Sequence, residues 1–341
     1  MFMVKKMNNI TKSNQVGIED SHLREVEVLI IAVGPETRAY YSLERILKKI
    51  IIKKCILVVF KDLQREKGKI PFETNLDKKA KEIWMWCYQK MTNILQDYRV
   101  NTIIIDKYYS EQIMEVINEI KKNIAFSENK LLDMSCFPKG YILELLRWLG
   151  YQKIIPLYTE GIRHNIHEEE FAVGVKQIIT LSGFEGIIKN REDLLVLILG
   201  FEGYRAEALL HYFQPSKALG LIGNPNNEKS LDYICVARKN NSNLLGHTMV
   251  VEKQISSLNY DIFSHQLDDI INQILEQGKI ENKEYDIYVS PLGTKIQTLG
   301  LFKYWLDHKE IQIVYAIPSK RRTGVIDVGP TWICPLQNGV E

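Results

Sequence analysis

The feature that most constrains the fold of this chain is a pattern that occurs twice. Residues 24–39 and 191–206 each carry Arg-Glu, an apolar run, a glycine, and then a Glu and an Arg followed by Ala. A second pair of similar turns lies far downstream, D-M-S-C-F-P-K at 133–139 and S-P-L-G-T-K at 290–295. Two motifs repeated in the same order predict a duplicated α/β unit. We expect the functional site to lie where the two copies meet.

Each half alternates short apolar runs with segments of helical periodicity. The first half predicts strands at 26–33, 55–60, 102–105, 130–133 and 154–158, followed by an antiparallel edge strand at 173–181. The second half predicts strands at 194–199, 219–223, 248–252, 285–290 and 311–317, and its end at 323–336 mirrors that edge segment. Helices are predicted at 35–50, 75–98, 110–123, 139–149, 203–213, 262–277 and 295–305.

This alternation predicts an open, mostly parallel sheet with helices on both faces. The fold class is therefore α/β, with two duplicated Rossmann-like units, each with an antiparallel edge strand. We assign residues 1–23 to an N-terminal tail, 24–183 to the first unit and 184–341 to the second.

The composition is that of a globular protein and narrows the classes of partner. A net charge of +2 gives no bulk attraction to long nucleic acids. The apolar runs are too short to span a bilayer, and the polar N-terminus has no signal-peptide core. The 5 cysteines are scattered, odd in number and without a C-x-x-C pair, which favours a reduced, cytoplasmic protein. The sequence leaves oligomerisation open.

Both repeated motifs fall where open α/β sheets bind ligands, beyond the carboxyl ends of their strands. A glycine ends the first strand of each half, and the second motif lies between the fourth strand and its helix. Backbone N–H groups at such a helix start can hold a phosphate, a Ser or Thr hydroxyl adds a donor, and Lys adds a positive charge. The predicted ligand-binding residues are Gly34, Arg38, Ser135, Lys139, Gly200, Arg205, Gly293, Thr294 and Lys295.

Simpler roles remain open for each of these side chains. Ser135 and Thr294 are ordinary helix caps, and a lysine in a first helical turn is often only solvated. Glu36 and Glu202 could bind a sugar hydroxyl, or each could form a local ion pair with the arginine that follows it. The arginines could likewise bind a phosphate, stack on a base or remain in that pair.

Other motifs indicate neither a metal nor a cofactor. Neither glycine turn matches the dinucleotide or P-loop fingerprints, which disfavours dehydrogenases and P-loop NTPases. His164 and His167 stand three residues apart beside carboxylates but without a third ligand, so a solvated loop is the better interpretation. Cys136 has no nameable histidine partner and is predicted to be structural. The basic run 320–322 either reaches an anionic ligand or forms an exposed turn.

The turns at 133–139 and 290–295 resemble those of CARF domains, the Rossmann-like sensors of cyclic oligonucleotides in CRISPR-linked immunity. P-L-G-T-K is the closer match, whereas S-C-F-P-K lacks the glycines. In layout the chain is also similar to SAVED domains, which look like two CARF units fused together. The resemblance implies a cyclic or linear oligonucleotide bound across the pseudo-twofold between the halves. Because the sequence displays no nuclease, protease, TIR or membrane effector segment, it also implies a separate effector protein in antiviral defence.

Two function classes follow from this pattern. The first is a sensor in which Lys139 and Lys295 hold phosphates and the two arginines orient the rest of a nucleotide. The second is a nucleotide hydrolase that cleaves a phosphodiester or N-glycosidic bond in the same cleft. It would use Glu36 or Glu202 as the acid–base group. A pure scaffold would leave the repeated polar positions unexplained.

Overall fold

The computed structural model describes residues 15–61, 78–108, 113–161, 172–227, 230–321 and 327–336. The strands in these ranges are β1 (Val16–Gly17), β2 (Glu25–Val33), β3 (Ile51–Lys61), β4 (Asn101–Tyr108), β5 (Lys130–Asp133), β6 (Ile154–Gly161), β7 (Ala172–Thr180), β8 (Glu192–Leu199), β9 (Lys217–Asn224), β10 (Val250–Ser256), β11 (Tyr285–Pro291), β12 (Gln312–Arg321) and β13 (Val328–Ile333). The α-helices are α1 (Arg38–Lys49), α2 (Lys78–Asp97), α3 (Ile113–Lys122), α4 (Lys139–Trp148), α5 (Gly203–Phe213), α6 (Ser230–Asn240), α7 (Ser242–Leu245), α8 (Tyr260–Ile280) and α9 (Lys295–Asp307).

The strands form two sheets with the same internal order. The seven-stranded sheet runs β1-β13-β6-β5-β2-β3-β4, and the six-stranded sheet runs β10-β9-β8-β11-β12-β7. When the five parallel strands of each half are numbered along the chain, both sheets read 3-2-1-4-5. This is the doubly wound order of Rossmann-like folds, so the predicted α/β class with two Rossmann-like units is confirmed.

Helices cover both faces of each sheet, and one helical layer is shared. The inner apolar cluster joins β2 and α4 of one unit to β8 and α9 of the other, and α4 packs directly against α9. The outer face of the first sheet packs on α1 and α2, and that of the second sheet packs on α5 and α6. Strands buried on both faces need continuous apolar runs, which accounts for the apolar segments of the sequence.

The antiparallel strand that follows the parallel strands of each half lies in the sheet of the other half. β7 pairs with β12 of the second sheet, and β13 pairs with β6 of the first. Arg45 and Thr159 anchor β13 in the first sheet, because Arg45 Nη1 donates to Thr331 Oγ1 at 3.1 Å and the two threonine hydroxyls lie 2.9 Å apart. The unit boundaries predicted from the sequence, which placed 173–181 in the first unit, therefore do not coincide with the sheets. Backbone pairing at a sheet edge is nearly independent of sequence, so the pattern could not reveal the exchange.

Smaller differences concern segments whose sequence signal is weak. Val16–Gly17, which was assigned to the N-terminal tail, pairs with β13, and the neighbouring Ile18 is buried. Helices α6 and α7 were not predicted, since the preceding N-P-N-N turn favours a loop. Among the described residues, no helix is long and apolar enough to cross a membrane.

A buried carboxyl group lies in the helical layer between the sheets. Glu144 on α4 is 1% exposed, and its carboxylate lies 3.7 Å from Arg147 Nη2. Burial raises the pKa of Glu144 to about 7, although Arg147 opposes the shift. The folded chain therefore binds a proton at pH values where an unfolded glutamate has lost it. This contribution to stability is complete below the ordinary glutamate pKa and is lost as pH rises through 7.

Candidate functional site

One cavity of about 260 Å³ lies at the carboxyl ends of both sheets, between the two units. In each sheet the strand order reverses between the first and fourth parallel strands, at β2 and β5 and at β8 and β11. Crevices at such switch points are the usual ligand sites of doubly wound folds. The cavity is lined by nine residues that the sequence analysis had singled out: Glu36, Arg38, Lys139, Gly200, Glu202, Arg205, Gly293, Thr294 and Lys295.

The glycine that ends the first strand packs against the second motif in both units. A Cβ added to Gly34 would lie 2.9 Å from Cys136 Cβ, and one added to Gly200 would lie 2.6 Å from the carbonyl oxygen of Leu292. Cys136 and Leu292 stand at the same position, three residues before the lysine. The two glycines are therefore needed for the close approach of two loops, and Gly200 also lines the cavity.

In the first unit, Arg38 is the first residue of α1, and its side chain donates hydrogen bonds to three groups. Its Nε donates to Glu36, and its Nη1 donates to the Thr159 carbonyl at 3.3 Å and to the Tyr158 hydroxyl at 3.4 Å. Burial is the largest single effect and lowers the pKa of this guanidinium, but Glu36, Tyr158 and Cys136 together outweigh it and raise the pKa above its ordinary value. Arg38 therefore stays charged and fixes α1 to β6.

The second unit repeats this arrangement at the start of α5. Arg205 Nη1 donates to Glu202 at 2.7 Å, its Nε donates to the Ala316 carbonyl at 2.9 Å, and its guanidinium lies 5.2 Å from the centre of the Tyr315 ring. In both units the arginine thus contacts a tyrosine of the fifth strand and the carbonyl of the next residue. Of the roles that the sequence allows for these glutamates and arginines, the structure contains the local Glu–Arg ion pairs.

The two lysines lie at the contact between the units. Lys139 Nζ donates to the carbonyl of Leu292, in the second motif of the other unit, at 3.0 Å. Lys295 lines the same cavity as Cys136 of the first unit, and its positive charge acts to lower the pKa of that thiol. Lys139 therefore contacts the motif loop of the opposite unit, and Lys295 lines the same cavity.

The two helix starts in the cavity differ in how they are capped. Thr294 caps α9: its hydroxyl accepts from Gln297 N at 3.1 Å and donates to the Ser257 carbonyl at 2.8 Å, and the Gln297 side chain closes a capping box. The N-cap of α4 is Pro138, and no side chain caps that helix. The start of α4 is thus the more open one for an anion, although its turn was the poorer match in sequence.

Two predicted residues do not line the cavity. Ser135 is fully buried, its Oγ accepts from Thr159 N at 2.8 Å, and its own N–H donates to Asp133. Gly34 is covered by Cys136. Both residues stabilise the loop that lies beneath the cavity. Buried backbone groups of such a loop need hydrogen-bond partners, and Ser135 provides one of them.

Several cavity residues were missed by the sequence analysis. Tyr158 and Tyr315 follow the same spacing in the fifth strand of each half, P-L-Y-T and I-V-Y-A, and this echo could have been noticed. Phe201 and Tyr233 form a stacked pair on one wall, and Gln297 faces the cavity beside its cap. Tyr233 comes from α6, which no motif marked.

The charges of the lining residues favour an anionic ligand. Four cationic side chains, Arg38, Lys139, Arg205 and Lys295, stand against the two anionic ones of Glu36 and Glu202, so the formal charge is +2. Both carboxylates are paired with arginines. The lining thus has a formal excess of positive charge, and Lys139 and Lys295 come from the two different units.

Two other kinds of site considered from the sequence, a reactive cysteine and a metal site, have little support in the described residues. Low polarity around the Cys136 thiol raises its pKa above the ordinary value, despite the nearby cations, so it remains a protonated, structural thiol. Within the ranges that the structure describes, no group of three His, Cys, Asp or Glu side chains could hold a metal ion. The segment 163–170 lies outside these ranges, as do Arg322 and the side chains of Lys320 and Arg321.

No protein-family model and no curated protein matches the chain. Among solved structures, it is similar to a type III CRISPR defence DNA nuclease activated by cyclic oligoadenylate, with a TM-score of 0.47 and 9% identity over 85% of this chain. The chain spans 65% of the length of that nuclease. It is also similar to a putative universal stress protein from Pseudomonas aeruginosa UCBPP-PA14, with a TM-score of 0.24 and 11% identity, over 86% of this chain and 94% of that protein.

Proposed function

We propose that this protein is a sensor that binds a phosphate-rich oligonucleotide, cyclic or linear, in the cavity between its two units. One observation carries the proposal: equivalent positions of both units meet in one cavity that carries excess positive charge. Phosphate groups match that charge, and the ribose hydroxyls of a nucleotide match the paired glutamates.

In this proposal the two lysines supply the phosphate contacts. A phosphate at the start of α4 would receive N–H groups of that uncapped helix and the ammonium group of Lys139. Lys295 would reach the same group or the next phosphate from the opposite side. The buried arginines keep α1 and α5 in place and shape the walls, so their role is mainly positioning.

The contact between the units suggests how binding would be transmitted. Lys139 joins the units through the Leu292 carbonyl, and it begins α4, which packs on α9. A phosphate that draws the lysine away from this carbonyl would change the packing of these two helices. We propose that an effector protein responds to that change, as expected of a sensor in antiviral defence.

Isothermal titration and thermal shift with nucleotides test the proposal. The panel contains cyclic oligoadenylates of three to six units, linear oligoadenylates, cyclic dinucleotides and inorganic phosphate. Lys295→Ala should weaken binding of the best nucleotide at least tenfold, since a charge-assisted hydrogen bond contributes about 1.5–3 kcal/mol. Lys253→Ala, which removes an exposed lysine from the edge strand β10, is the matched control and should leave affinity unchanged.

Two results would contradict the sensor. If no nucleotide in the panel raises the melting temperature, the ligand class is wrong. If Lys295→Ala binds as tightly as the unmodified chain, the cavity is not the site. Chromatography of the ligand after incubation tests the hydrolase alternative, because a hydrolase converts the ligand whereas a sensor returns it intact.

A further inference from the structure

The cavity has one aromatic wall, formed by Phe201 and Tyr233. Phe201 follows the glycine at the end of β8, and Tyr233 lies in α6. Their ring centroids are 5.7 Å apart with an angle of 19° between the planes, so the rings are stacked. Both rings line the cavity and are half-buried, so aromatic surface borders the cavity together with the charged side chains.

The loop that carries Phe201 is held rigidly against α6. Asn240 Nδ2 donates to the Phe201 carbonyl at 2.9 Å, and Asn241 Nδ2 donates to the Gly200 carbonyl at 2.9 Å. A Cβ on Gly203 would lie only 1.8 Å from the Asn240 carbonyl oxygen, so the next turn also fits closely to the end of α6. The aromatic wall is thus organised before a ligand arrives, which lowers the entropic cost of binding.

The aromatic wall belongs to one unit only. The residue equivalent to Phe201 in the first unit is Pro35, which lines the opposite side of the cavity. The lysines and the Glu–Arg pairs, by contrast, occur in both units. A ligand in this cavity therefore meets similar charged groups and a tyrosine of the fifth strand on both sides, but a stacked pair of aromatic rings on one side only.

We propose that Phe201 and Tyr233 form a base-stacking subsite that takes one nucleobase of the ligand. The inference rests on the proposed function and adds that the ligand is bound unequally, with one base stacked at the second unit. Aromatic rings suit this task because every nucleobase has a π-face, and stacking needs no specific hydrogen bonds. The subsite therefore favours a nucleotide over a simple polyphosphate.

Two probes that differ only in their bases test the subsite. They are the linear dinucleotide pApA and its abasic counterpart, which keeps both riboses and phosphates. Tyr233→Leu should weaken pApA binding by about 5- to 150-fold, the range for removal of one stacked base. The same variant should leave binding of the abasic probe unchanged.

Three controls separate stacking from other effects. Tyr233→Phe keeps the ring and should retain the affinity for pApA. Tyr212→Leu removes an exposed tyrosine of α5 outside the cavity and should also bind normally. Equal melting temperatures of the Tyr233 variants in the absence of ligand would exclude a folding defect.

The outcomes distinguish the subsite from the sensor itself. If the unmodified chain binds pApA and the abasic probe equally, or if Tyr233→Leu weakens both equally, the stacking subsite is refuted. Loss of both probes in Lys295→Ala would then still support the phosphate site. If neither probe binds the unmodified chain although another nucleotide of the panel does, the subsite is refuted and the sensor stands; the sensor fails only if no nucleotide of the panel binds.

Discussion

Replacement of Arg205 by methionine tests whether the cavity arginines are structural. Methionine keeps much of the apolar stem but removes the donors to Glu202 and to the Ala316 carbonyl. The matched control is Arg191→Met. Arg191 also forms an ion pair at 2.7 Å, with Glu284, but the two side chains are 33% and 67% exposed, against 3% and 13% for Arg205 and Glu202.

The burial of the two pairs sets the expected magnitudes. Removal of one partner from a buried, hydrogen-bonded pair costs about 3–5 kcal/mol, because the remaining charge and the buried carbonyl lose their partner. The exposed pair is worth about 0–1 kcal/mol. For units of this size, 1 kcal/mol shifts the melting temperature by roughly 2–4 °C. Arg205→Met should therefore lower it by roughly 6–20 °C, and Arg191→Met by at most about 4 °C.

Thermal unfolding followed by circular dichroism measures this difference. The double variant Arg205→Met with Glu202→Gln should recover part of the loss, because it leaves no uncompensated buried charge. If Arg205→Met and Arg191→Met lower the melting temperature equally, the structural role is refuted, and Arg205 would have to be regarded as a ligand contact.

Three further changes test other parts of the structure. Gly200→Ala forces a Cβ to within 2.6 Å of the Leu292 carbonyl oxygen and should cost about 1–3 kcal/mol in urea unfolding, an expectation that an unchanged midpoint would contradict. Thr294→Ala removes the cap of α9 and should cost about 1 kcal/mol, with Thr294→Ser retaining stability. Glu144→Gln should raise stability above pH 7 by about 1–3 kcal/mol and leave it unchanged at pH 4, because only the ionised carboxylate is penalised by burial. Equal gains at both pH values would refute the assigned cause.

The location of the cavity could be predicted from the sequence because it depends on local signals. Continuous apolar runs mark buried strands, and the residues that follow them must lie at the carboxyl edge of a parallel sheet. The sequence therefore places Gly200 and Lys295 at the same edge of the second sheet. The repeated spacing likewise indicated that two such edges would be brought together.

The roles of individual side chains could not be predicted in the same way. Ser135 and Thr294 carry hydroxyl groups at the right positions, but a hydroxyl can cap a helix, support a loop or bind a ligand. Which of these it does depends on which backbone groups lie within about 3 Å, and most of those come from distant segments. The Ser257 carbonyl, for example, accepts a hydrogen bond from the Thr294 hydroxyl, although the two residues are 37 positions apart in the sequence.

Local sequence patterns are enough to predict the α/β class, the repeated order of elements and the edge of each sheet at which polar groups lie. These follow from periodicity and from turn residues, which act over a few neighbours. The exchange of β7 and β13, the side-chain cap that α9 has and α4 lacks, and the aromatic wall of Phe201 and Tyr233 become visible only in the folded chain. The physical reason is that each of these depends on contacts between segments far apart in the chain, for which local patterns contain no signal.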